Sequence, residues 1–64
     1  MPVITVQMHK VDTTQKTELI RRLTATAVGV TQVPASSFTI IIQELDDGNI
    51  GIGGKTRAEV VASR

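Results

Sequence analysis

Few residues in this 64-residue sequence carry reactive chemistry, and the most unusual of them is Pro2. A proline is small enough to permit removal of the initiator Met1, and the processed chain would then begin with a secondary ring amine. In partly apolar surroundings, near other cations, the charged form of an amine is disfavoured and its pKa falls toward neutrality. A general base works best when its pKa lies near the operating pH. Pro2 is therefore the candidate catalytic group. Read on residue chemistry alone, a proline here can equally do no more than precede an edge of a strand.

The other candidates are weaker. His9 is the only histidine and has no visible orienting partner. Glu44, Asp46 and Asp47 could form a carboxylate cluster, but three acids around one turn more often make a solvated loop, and no metal is expected. The glycines of Gly48-Asn49-Ile50-Gly51-Ile52-Gly53-Gly54 suggest a phosphate loop only at first sight. They follow a strand without opening a strong helix and lack the GxGxxG spacing, so a hairpin needing unusual dihedrals is the expectation. No G-x-S-x-G motif is present, and no cofactor is implied.

Composition narrows the rest. Seven Lys/Arg against six Asp/Glu leave a net charge of +1, with 41% apolar residues and a single aromatic, Phe38. No basic run or aromatic platform suggests nucleic acid. The apolar run Ile40–Ile42 is far too short to span a membrane, and the start does not resemble a signal peptide, so a soluble cytoplasmic protein is expected. Without cysteine there is no disulfide staple. Ordering 64 residues at about 1.5 kcal/mol each must be offset by burial that one short chain barely supplies, so self-association is expected on size alone.

The elements that must position these groups are legible. Val3–Met8 is β-branched and predicts a strand. Asp12 followed by Gln15 predicts a capping box, and Leu19, Ile20, Leu23, Ala27, Val28 and Val30 predict a helix from Thr13 to about Val30. Lys16, Glu18, Arg21 and Arg22 are assigned to its other side, and Pro34 forbids continuation. Phe38–Leu45, with Ile40, Ile41 and Ile42 in succession, predicts a second strand covered on both faces and parallel to the first. Asp46–Asn49 predicts a turn, Ile50–Ile52 a short extended piece, Gly53-Gly54 a second turn, and Thr56 onward a tail of helical character. The expected fold class is α/β (α+β): a single β-α-β unit with parallel strands and a short C-terminal hairpin. One helix covers one face of the sheet, so the open face must meet another subunit.

Pro2-Val3-Ile4, Gln15-Lys16 with Leu19-Ile20-Arg21, Pro34 ahead of Ile40-Ile41-Ile42 and Glu44, and Gly48 with Gly51-Ile52-Gly53-Gly54 together resemble the 4-oxalocrotonate tautomerase family. The resemblance covers nearly the whole chain and implies one tautomerase-like domain over residues 1–64. It implies an enol–keto isomerase of small unsaturated 2-hydroxy/2-oxo acids, of the kind met in aromatic hydrocarbon breakdown, with Pro2 as base and acid. It also implies a homohexamer built as a trimer of dimers, or a heterohexamer, with each site shared between subunits. The family's carboxylate-binding arginine before the helix falls on Val11, where the loop is one residue shorter and the nearest cation is Lys10. Its second arginine falls on Thr39, and its aromatic wall on Ile50. Lys10, Thr39 and Ile50 are thus the substrate-binding candidates, Arg21 and Arg22 matching neither arginine position. Two alternatives stay open: a catalytically impaired or supporting subunit of a mixed hexamer, and a hydratase or dehalogenase activity with Glu44 activating water.

Overall fold

Two parallel strands joined by one long helix form the body of the chain, and a small hairpin and a short helix extend from it. The structure is a computed structural model and describes residues 2–63. The first strand, β1 (Val3–His9), pairs in parallel with β2 (Thr39–Leu45), from Val3 opposite Thr39 to His9 opposite Leu45. Between them runs α1 (Thr13–Thr31). Parallel strands require such a crossover, and its apolar stripe is what packs back on the sheet. A 3-10 turn at Ala35–Ser37 leads into β2, and a second at Asp47–Asn49 leaves it. The antiparallel pair β3 (Gly51–Ile52) and β4 (Lys55–Thr56) then leads into α2 (Arg57–Ala62).

Local chemistry sets these boundaries. At the start of α1 the Asp12 side chain accepts from the Gln15 amide at 2.7 Å, and the Gln15 side chain accepts from the Asp12 amide at 3.3 Å, the expected capping box. The helix ends at Gln32, which turns left-handed at φ 64° and closes on the Val28 carbonyl. Pro34 then stands outside the helix, two residues beyond that turn. Gly53 and Gly54 both adopt positive φ, 58° and 85°, which is what a two-residue turn between twisted strands requires. Thr56 and Glu59 form a second capping box on α2.

Three expectations shift. Phe38 caps the turn ahead of β2 and does not belong to the strand, and β1 runs one residue further, through His9. Lys16 faces β2: its Nζ donates to Glu44 Oε1 at 2.9 Å, so its long stem crosses the α1–sheet contact with the apolar stripe.

The fold is incomplete as a globule. No described residue is fully buried, and Val3, Ile20, Val30, Ile41, Ile52 and Val61 are exposed. The radius of gyration is 14.8 Å, against about 11 Å for a compact chain of this length. Thr5 and Gln7 on β1, and Ile41 and Gln43 on β2, are exposed, and Gln7 and Gln43 bond across the strands at 2.8 Å. A two-stranded sheet with a face and two edges open is not a self-sufficient core.

Candidate active site

The parallel sheet separates the candidate residues by its length. At its N-terminal end, Pro2 is half-buried and its carbonyl accepts the Thr39 amide at 3.0 Å. That bond pins the proline ring at the head of β1 against the start of β2. Pro2 and Thr39 are therefore brought together. The strand residues around them, from Val3 to Met8 and from Thr39 to Gln43, contain no Lys, Arg or His. An amine here is screened by apolar and neutral groups, and among the described residues no cation of the same end can hold an acid beside it. Removal of Met1, on which the amine depends, lies outside the described residues.

Lys10 lies at the other end. Eight residue rises along β1 put it on the order of 26 Å from Pro2 in the same chain. An open cavity of about 280 Å³ forms here, at the carboxyl ends of both strands, lined by His9, Lys10, Leu45, Asp46, Asp47 and Arg57. Lys10 Nζ pairs with Asp46 Oδ1 at 2.8 Å, both well exposed. The hydrogen bond and charge of each partner raise the Lys10 pKa and lower that of Asp46. Arg57 Nη1 donates to Asp47 Oδ1 at 2.8 Å, and the Arg57 amide donates to the Ile50 carbonyl at 2.7 Å. Ile50 thus stands at this end too, as backbone support for Arg57. The two aspartates of the turn point to different cations and do not converge as a ligand pair.

Glu44 holds the loop that carries Lys10. Its Oε2 accepts the Val11 amide at 2.9 Å and its Oε1 accepts Lys16 Nζ at 2.9 Å. The Lys16 hydrogen bond, then the Val11 amide, keep its carboxyl below the ordinary carboxylate range. With both oxygens engaged, Glu44 is a structural acceptor and is poorly disposed to activate a water.

Arg57 is the site residue that sequence reasoning missed. Its signal was present, since Thr56 with Glu59 marks a helix start and places residue 57 at the first turn. Nothing in the spacing, however, says that this turn folds back on Asp47. Arg21 and Arg22 point outward on α1 and share Glu18, at 2.7 and 3.2 Å. They take no part in either end.

Residues 2–59 match the family described as Tautomerase enzyme. No curated protein matches. Among solved structures, DmpI from Archaeoglobus fulgidus is 38% identical, covers 89% of this chain and 98% of its own, and superposes with a TM-score of 0.84. A heterohexamer 4-oxalocrotonate tautomerase from Chloroflexus aurantiacus J-10-fl is 34% identical over 94% of this chain and 98% of its own, with a TM-score of 0.88. TomN, a 4-oxalocrotonate tautomerase homologue of the tomaymycin biosynthetic pathway, is 26% identical over 95% of both chains, with a TM-score of 0.90. The match runs from the pinned proline through both strands and the long helix to the first turn of α2, and the chain belongs to the 4-oxalocrotonate tautomerase family of the tautomerase superfamily.

Proposed function

We propose that this chain is an isomerase that interconverts the enol and keto forms of a small unsaturated 2-hydroxy/2-oxo acid, with the amino-terminal Pro2 as general base and acid. The observation that carries it is the seat of Pro2, half-buried at the head of β1 and tied by its carbonyl to Thr39. The neutral ring nitrogen takes the hydroxyl proton of the enol. The oxygen lone pair then forms the carbonyl, the double bond shifts, and a distant carbon takes the proton back from the prolinium. Atoms and charge balance with no cofactor, and the base is regenerated.

The base and the cations stand at opposite ends of one sheet, so a complete site needs a second copy. Pairing the open edges of β1 antiparallel about a two-fold axis would set the Pro2 end of one strand beside the His9–Lys10 end of its neighbour. A homohexamer is the assembly that the family resemblance favours, and the exposed Val3 and Ile41 supply apolar surface for it. No helix among the described residues is long and apolar enough to cross a membrane. A supporting role in a mixed hexamer is the second reading. It is favoured by Val11 and Thr39 standing where the family has arginines and by the likeness to the Chloroflexus aurantiacus heterohexamer.

The test compares Met1-bearing and processed protein, distinguished by intact mass, in the ketonisation of phenylenolpyruvate. The processed protein turns over and the Met1-bearing one does not, because an acylated proline nitrogen has no basicity. Equal rates in the two would refute the proline mechanism. A processed, assembled protein without any rate would favour the supporting role.

A further inference from the structure

We infer that Arg57 binds the substrate's carboxylate, through the guanidinium edge that its pairing with Asp47 leaves unshared, and that this single fork selects monocarboxylic enol acids; the inference rests on the proposed isomerase reading. Three observations converge on Arg57. It lines the cavity at the carboxyl ends of β1 and β2, together with the apolar side chain of Leu45. It is the best sheltered of the cavity's two permanent cations, its side chain 24% exposed against 69% for Lys10. It is also held from two sides, by Asp47 Oδ1 on Nη1 and by the Ile50 carbonyl on its backbone amide.

A guanidinium has five N–H donors in a planar fork. Among the described residues Arg57 uses one side-chain donor, Nη1, so the Nε–Nη2 edge has no protein partner. That edge has the geometry a carboxylate accepts bidentately, and a side chain already fixed loses little freedom on doing so. Lys10 is a flexible point charge engaged with Asp46 and offers no fork.

The aspartates set the selectivity. Asp46 and Asp47 balance Lys10 and Arg57, so the cavity's cations are already paired and do not attract anions indiscriminately. A first carboxylate fits the unshared edge. A second, elsewhere in the cavity, would meet Asp46 and Asp47 with no unpaired cation left to offset them. Leu45 suits an apolar substituent there instead.

The experiment compares phenylenolpyruvate, its methyl ester and a 2-hydroxy-dienedioate on processed wild type, Arg57→Gln and Arg57→Lys. Wild type should favour the monoacid over both. Arg57→Gln should raise KM for the monoacid about tenfold to a hundredfold, the usual range for losing a charge-assisted bond, with little change in kcat and none in the ester's KM. Arg57→Lys, which keeps the cation and its Asp47 partner, should fall between, and it is the deciding variant if Arg57→Gln fails to assemble. An unchanged monoacid KM, or an equal rise for the ester, overturns the inference. Calorimetric titration of Pro2→Ala protein with phenylpyruvate, with and without Arg57→Gln, reads binding in the absence of turnover. Loss of binding on Arg57→Gln supports the carboxylate fork whatever becomes of Pro2, and undiminished binding overturns it. Turnover that survives Pro2→Ala refutes the proline mechanism instead, so the two failures are told apart.

Discussion

The two ends of the parallel sheet are built on opposite principles. The N-terminal end is neutral and is fixed by backbone: one hydrogen bond from Thr39 to Pro2 and a 3-10 turn that delivers the chain to β2. The C-terminal end is ionic and is fixed by side chains: Lys10 on Asp46, Arg57 on Asp47, Lys16 on Glu44. A neutral setting suits an amine that must give up its proton, whereas holding an acid requires fixed cations. One short chain cannot satisfy both demands at the same place without charging the base's surroundings. Distributing them over a strand's length leaves association to bring them together, with a cation near enough to steer the substrate.

Breaking each end separately sharpens that contrast. Pro2→Ala strikes the neutral end and should cost about a hundredfold to ten-thousandfold in turnover, the range for a lost general acid/base, while leaving the thermal midpoint unaffected. Steady-state ketonisation beside a melting curve checks both. Ile41→Lys places a charge on the open sheet face, where Ile41 is 46% exposed in the single chain. Sedimentation should show its mass falling toward the 6.9 kDa of one chain, with activity lost alongside; an unchanged mass would show that this face is not an interface. Gly54→Ala strikes the arm that carries Arg57: at φ 85° a side chain costs about 1–2 kcal/mol, seen as a lower thermal midpoint.

The smallest effect concerns Glu44. Because its pKa is lowered on folding, its stabilising contribution is fully present above the ordinary value of 4.5 and is lost as pH falls through the lowered one. Glu44→Gln should therefore lower the midpoint at neutral pH and flatten its acid limb, with wild type and variant converging at low pH. Parallel curves at every pH would mean that the carboxylate's partners contribute no net stabilisation.

Much of the body was legible because its signals are local. Asp12 and Gln15 reach only one turn of helix, and the capping box they predict forms. The β-branched runs become the two strands in parallel register, and Gly53-Gly54 takes the positive φ that the turn demands. Local boundaries moved by only one residue, at His9 and Phe38, whereas the pairings that were missed are long-range. Lys16 belongs with Glu44, 28 positions later, so helical periodicity alone places it on the wrong side. Arg57 belongs with Asp47 across the hairpin, and no motif announces that pairing.

The amino-acid order by itself determined the element types, their caps and the family, since propensity, periodicity and turn chemistry act over a few residues. Only the tertiary structure decided that Pro2 joins Thr39 while Arg57 and Ile50 gather with Lys10 at the far end of the sheet, Lys10 itself about 26 Å from Pro2 by strand rise. Which residues share a place depends on strand register and on where a hairpin folds back. Those are set by packing over the whole chain, and no short stretch of sequence encodes them.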